Sequence, residues 1–199
     1  DPHDSTAGVL PPRVEEKRAL EIAATISAQR IAATSTGRAQ AAHALALARP
    51  DAKVMAWYVD AYQANLAESH AVRPANLQIV CQADWPIGPF DLAVVPLQTS
   101  GEVELSRDIL QQAYSQLAIG GTLLTSVDNP KDRWLHDQMK LFSKSVKVRA
   151  FEDAIVYFVQ KEVELKKLKN FSCELAFKDC DQLIKFVTRP GVFSHRQLD

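Results

Sequence analysis

The run Phe90–Asp91–Leu92–Ala93–Val94–Val95–Pro96–Leu97 sets the tightest limit on what this chain can become. No polar residue falls between Leu92 and Val95, so a strand formed here must be covered on both faces, as in a parallel sheet held between helices. The run predicts the central strand of such a sheet. Pro96 has no N–H to give to a ladder, which predicts that the strand stops there. The chain then leaves the sheet at its carboxyl edge, the edge where open α/β sheets bind ligands.

The flanking pattern supports this. Helix formers run from Val14 to Ala28, followed by a short strand Arg30–Ile31–Ala32–Ala33–Thr34, a loop Ser35–Thr36–Gly37–Arg38, and a helix from Ala39 to Ala48 ended by Arg49–Pro50. Lys53 to Asp60 is a second strand, so the segment is a βαβ unit with parallel strands. The alternation repeats through a helix Ala61–His70, a strand Asn76–Cys81, the central run, and a helix Val103–Leu117. Ile119–Gly120–Gly121 predicts a tight turn into a fifth strand, and Asn129–Pro130 predicts the start of a helix reaching Phe142.

Ser145–Phe151 and Ala154–Val159 are then separated by Glu152–Asp153 alone, a connection that permits only an antiparallel hairpin. The expected fold is α/β: a doubly wound, mostly parallel sheet with a terminal antiparallel hairpin, followed by a small β extension. That extension comprises a charged linker or short helix, Gln160–Asn170, and strands near Cys173–Lys178 and Leu183–Thr188. Residues 1–13, with Pro2, Pro11 and Pro12, read as a leader, and the turn-like end of the chain predicts further sequence beyond Asp199.

Composition narrows the chemistry. With 47% hydrophobic residues, 199 residues bury one sizeable core. Cys81, Cys173 and Cys180 form no paired motif, which fits a reducing, cytoplasmic setting, and the five histidines show no ligand spacing, so no metal site is expected. No apolar run is long enough for a membrane span. The net charge of -1 hides an asymmetry: residues 1–130 carry 9 basic and 14 acidic side chains, residues 131–199 carry 14 and 10. Asp60 and Asp84 end strands, where a nucleoside site places acids for ribose hydroxyls and a base amine. The first loop is poor by contrast, because a cradle that brings backbone close to a ligand uses several glycines and this one has Gly37 alone. No catalytic residue is expected: Val95–Pro96–Leu97–Gln98 offers no acid, base or nucleophile, and Ser35, Thr36, Ser100 and His136 are too scattered to read as a triad.

Asp60 before a helix, Ala83–Asp84, Phe90–Val95, the Leu117–Leu123 turn and the hairpin together resemble the class I S-adenosylmethionine-dependent methyltransferases over about residues 15–160. Phe186–Val187–Thr188–Arg189–Pro190–Gly191–Val192–Phe193–Ser194, then Leu198–Asp199, resembles the entry to the catalytic domain of the ribosomal RNA small subunit methyltransferase C group, guanine-N2 methyltransferases of the methyltransferase small domain class. That resemblance implies two methyltransferase-like halves in one chain, the first degenerate, the second binding S-adenosylmethionine and carrying an Asn-Pro-Pro-Phe-type motif. It divides this sequence into a leader (1–13), a degenerate methyltransferase-like domain (14–160), and a connector with the start of a catalytic domain (161–199).

On this reading the parent protein uses S-adenosylmethionine and this chain binds none. Its partners are ribosomal RNA and the carboxyl-terminal methyltransferase domain. Gly37, Asp60 and Asp84 hold the cofactor positions, and Lys140, Lys144, Lys147, Arg149, Lys166, Lys167 and Lys169 are candidates for RNA phosphate. Two alternatives stay open: a self-sufficient methyltransferase using Ser35–Gly37 as a reduced cofactor loop, and a dimerisation module pairing through the edge hairpin Val146–Val159.

Overall fold

The computed structural model describes residues 10–35, 37–69 and 73–191. Most of the predicted leader, Thr36, His70 and residues 192–199 of the terminal motif lie outside the described residues. Strands β1 (Arg30–Thr34), β2 (Lys53–Tyr58), β3 (Leu77–Cys81), β4 (Phe90–Leu97), β5 (Leu117–Val127), β6 (Lys147–Ala150) and β7 (Ile155–Gln160) form one sheet in the order β3-β2-β1-β4-β5-β7-β6. The first five are parallel, and β7 runs antiparallel to both β5 and β6. β4 is the middle strand, and Leu92, Ala93, Val94 and Val95 are wholly buried, as an all-apolar run requires.

Helices α1 (Val14–Ala23), α2 (Gln40–Ala48) and α3 (Ala61–Glu68) pack small residues such as Ala19, Ala42 and Ala64 on one face. The other face takes α4 (Val103–Ser115) and α5 (Trp134–Met139), which contribute Leu110, Tyr114 and Met139. The strand order reverses between β1 and β4, so their carboxyl ends open the crevice where this topology admits ligands.

Several local expectations are corrected. Pro96 does not end β4. Pairing with β1 stops at Val94 while pairing with β5 continues to Leu97, so the proline sits where one side of the sheet is already open. Helix α1 stops at Ala23 instead of Ala28, because Arg49 donates to the carbonyls of Ala23 and Ile26 and the chain tightens into turns there. Asn129 caps no helix. Its side chain accepts from the Lys131 amide at 3.0 Å in a local turn, and α5 begins at Trp134 with Asp132 accepting from the Leu135 amide at 2.8 Å.

Gly120–Gly121 is a bulge inside β5 and no turn before it: the register moves from Phe90 opposite Leu117 to Leu92 opposite Thr122. Gly120 has φ +87°, and a Cβ on Gly121 would stand 2.8 Å from the Phe90 carbonyl oxygen, so both positions call for glycine.

The hairpin holds as expected, with Ala150 opposite Ile155 across Glu152–Asp153. Residues 161–170 form no helix. Their anchor is Lys161, whose side chain is fully buried. Its ammonium donates to the carbonyls of Ser115 at the end of α4 (2.8 Å) and Leu117 at the start of β5 (2.9 Å) and pairs with Glu164 at 2.8 Å. The Ser115 carbonyl is an acceptor that a helix end leaves over, and the ammonium satisfies it. Beyond lies a separate two-stranded ribbon of β8 (Cys173–Asp179) and β9 (Gln182–Thr188). Among the described residues no helix is long and apolar enough to cross a membrane.

Candidate cofactor edge and basic groove

The loop after β1 is the first place to look for a cofactor, and among its described residues the Ser35 hydroxyl and the amides of Gly37, Arg38 and Ala39 are already engaged. The Ser35 hydroxyl accepts from the amides of Gly37 (3.0 Å) and Ala39 (3.1 Å), and donates to a Glu16 carboxylate oxygen at 3.0 Å. The Gln40 side chain accepts from the Arg38 amide at 2.6 Å, and the Tyr58 hydroxyl donates to the Gly37 carbonyl at 3.0 Å. A Cβ on Gly37 would stand 2.7 Å from Oε1 of Gln40, so that side chain fills the space directly beneath the glycine.

Ala39, the residue before α2, has φ 60°, the left-handed conformation that turns the chain into the helix. Glu16 is completely buried, and burial pushes its carboxyl above the ordinary range despite hydrogen bonds from the Arg13 amide and Ser35. Burial likewise pushes the Tyr58 phenol up to about 12. Glu16, Gln40 and Tyr58 are the residues that sequence reasoning missed here: an acid in Glu15–Glu16–Lys17 reads as a solvated helix face, and nothing local marks it as buried.

Asp60 and Asp84 lie where the strand pattern put them, after β2 and β3. Asp60 is exposed and spends Oδ1 on the amides of Tyr62 (2.8 Å) and Gln63 (3.4 Å), capping α3. Asp84 pairs with Arg189 at 2.7 Å, and the same guanidinium reaches Asp108 at 3.5 Å. The Gly191 amide donates to Glu102 at 2.9 Å. Residues 187–191 thereby form one wall of a cavity of about 580 Å³, whose other sides include Trp57, Asp60, Ala83 and Gln112.

A nucleoside cofactor held in the usual way needs free loop amides beside β1 and free carboxylates after β2 and β3. The side chains present do not fit that requirement at the loop, where the amides of Gly37, Arg38 and Ala39 are used internally, and fit it in part at the cavity.

Past β4 the chain folds into a tight turn. The Gly101 amide turns back to the Gln98 carbonyl at 2.9 Å, and the Thr99 amide and hydroxyl both donate to Asp128 (2.9 and 2.7 Å). Against the effect of burial, those bonds hold the Asp128 carboxyl below the usual range. Ser35 is committed to Glu16, and His136 stacks on Tyr157 at 5.4 Å, so no triad forms from them; Thr36 lies outside the described residues. Among the described residues no cluster of His, Cys, Asp or Glu is placed to hold a metal ion.

The seven cations divide between the two faces. On β6, Lys147 stands opposite Phe158 and Arg149 opposite Val156, and Val156 and Phe158 belong with the core under α1 and α2. Residues directly opposite in a ladder share a face, so Lys147 and Arg149 lie on the α1 side. Lys167 and Lys169 instead line a groove of about 560 Å³ on the α4 side, together with Arg107. Lys140 follows α5 and pairs with Asp137 at 3.5 Å, while Lys144 and Lys166 are exposed. Arg107 had no flag in the sequence, where it is one charged residue within an amphipathic helix.

No protein-family model matches the chain, and no curated protein matches it in sequence. Solved structures do match. A 16S rRNA N2 methyltransferase of T. thermophilus, in complex with AdoMet and guanosine, superposes with a TM-score of 0.72 at 19% identity, covering 94% of this chain and 49% of that one. A Pseudomonas syringae structure described as a "putative Methyltransferase" gives 0.58 at 15% identity over 73% of this chain and 98% of its own, and TrmN from Thermus thermophilus gives 0.56 at 17% over 79% and 51%. These likenesses define the fold as that of the class I S-adenosylmethionine-dependent methyltransferases. The chain spans about half the length of the rRNA methyltransferase it resembles, whereas 73% of it accounts for nearly all of the Pseudomonas protein.

Proposed function

We propose that this chain is the non-catalytic half of an S-adenosylmethionine-dependent rRNA guanine-N2 methyltransferase, acting to position RNA and to stabilise a catalytic half that follows it. The observation that carries the reading is the loop after β1. Gly37, Arg38 and Ala39 direct their amides to Ser35 and Gln40, leaving none of the three for a cofactor carboxylate. The reactive position after β4 holds Gln98 and a tight turn in place of an Asn-Pro-Pro motif.

Residues 161–191 fit the role of connector. β8 pairs only with β9 among the described residues, and Phe177, Leu183, Ile184 and Val187 are exposed on a two-stranded ribbon, an arrangement marginal on its own and suited to packing on a further domain. Under this reading residues 14–160 are the degenerate domain and 161–199 lead into the catalytic one.

The test is methyl transfer by the full-length protein to small-subunit rRNA, with Asp60→Asn and Asp84→Asn compared to wild type. Rates within about twofold are expected, since neither carboxylate meets the reacting cofactor. A loss of about a hundredfold in either variant would show that this half binds the cofactor used in the reaction. A second reading, a nucleoside-binding half, is favoured by the cavity of about 580 Å³ beside Asp60, and AdoMet density there in soaked crystals would establish it.

A further inference from the structure

We propose that the groove between α4, the segment after α5 and residues 165–171 binds single-stranded RNA, seating a base on its apolar floor and phosphates on Arg107, Lys167 and Lys169. The inference rests on the RNA-positioning reading and assigns that role to one site. The groove measures about 560 Å³, within the range that accepts a ligand of nucleotide size. Its accessible apolar lining is Leu141, Phe142 and Leu165, while Leu110 and Phe171 are buried. A flat apolar base with flanking negative charge matches such a surface, and stacking of this kind is tolerant of sequence.

The cations are set in place before any ligand arrives. The Arg107 Nε donates to Gln138 at 3.0 Å and its guanidinium lies 5.7 Å from the centre of the Trp134 ring. Held at Nε and stacked, an arginine keeps its two terminal amino groups for the fork geometry that phosphate accepts. The Gln111 amide group grips Lys169 at both backbone atoms, accepting from its N–H at 2.9 Å and donating to its carbonyl at 2.6 Å, which fixes that stretch of linker against α4. The Lys169 ammonium sits 5.1 Å from the Phe171 ring centre, and Lys167 forms no ion pair among the described residues. Among the described residues lining the groove the one acid, Asp137, pairs with Lys140 at 3.5 Å.

The full-length protein is titrated into a fluorescein-labelled single-stranded RNA of about twelve nucleotides, and into the same sequence as a duplex, at several salt concentrations. Wild type should favour the single strand. Replacing Arg107, Lys167 and Lys169 together by Gln should weaken single-strand binding by about tenfold at low salt and flatten the salt slope by about 2. Replacing Lys147 and Arg149 by Gln, on the opposite face, should change it by less than about twofold.

The groove assignment fails if the triple variant binds like wild type, if the opposite-face pair loses as much, or if the duplex binds as tightly as the single strand. A wild-type protein that binds no RNA would end the RNA-positioning reading itself. If the triple variant does not fold, photo-crosslinking of the wild type with a thiouridine-containing strand decides: adducts within 107–111 and 165–171 support the groove, and adducts confined to 147–149 overturn it.

Discussion

The loop after β1 and the groove behind α4 sit at opposite ends of one design. In the loop, the amides of Gly37, Arg38 and Ala39 each meet a side chain of the same corner, so those three groups are spent on holding the corner together. In the groove, Arg107 and the Lys169 backbone are positioned by neighbouring glutamines, and the two cationic groups lie over Trp134 and Phe171. In one region backbone amides are tied to neighbouring side chains, and in the other side chains hold a linker and an arginine in place. Substitutions in the loop should therefore cost stability, and substitutions in the groove should cost binding alone.

The largest effect is expected at Ser35. Ser35→Ala leaves two amides and the buried Glu16 without their shared partner, and unfolding in urea should show a loss of about 3 kcal/mol. A loss below about 0.5 kcal/mol would mean that the corner is not held together as described.

Glu16 sharpens the same point through pH. Its native carboxyl titrates above the ordinary carboxylate range because it is buried, so its stabilising contribution is complete below the unfolded value and declines as pH climbs through the native one. The stability of wild type relative to Glu16→Gln should therefore fall across that interval and then level off. A difference that is flat with pH would contradict the burial.

Tyr58→Phe removes one bond to the Gly37 carbonyl and should cost about 1 kcal/mol. Smallest of all, Arg107→Gln should change stability by less than about 0.5 kcal/mol, because the side chain is only partly buried.

The framework was legible in the sequence because its signals are long and redundant. Leu92 to Val95 demanded two covered faces, and Glu152–Asp153 allowed no connection but a hairpin; both statements hold whatever the rest of the chain does. Signals resting on one residue were weaker. Pro96 reads as a stop, yet a missing donor costs little where β1 has already ended, and that is a property of the neighbouring strand. Asn129–Pro130 has the composition of a helix start, but the Asn129 side chain found a closer amide at Lys131.

The corner and the groove were hidden for a related reason. Glu16 and Lys161 look like solvated charge in sequence, and each is buried by a partner more than fifteen residues away: Ser35 for one, the carbonyls of Ser115 and Leu117 for the other. Lys167 and Lys169 were recognised as cations, but which of the seven share a face depends on the register of β6 against β7.

Amide NMR of the protein during titration with S-adenosylmethionine tests the account at its centre, because it reads the loop itself. The resonances of Gly37, Arg38 and Ala39 should stay where they are up to roughly millimolar ligand, a concentration corresponding to about -4 kcal/mol of binding. Saturable movement of those three amides at micromolar ligand would show a working cofactor cradle, and the description of a closed corner would be wrong.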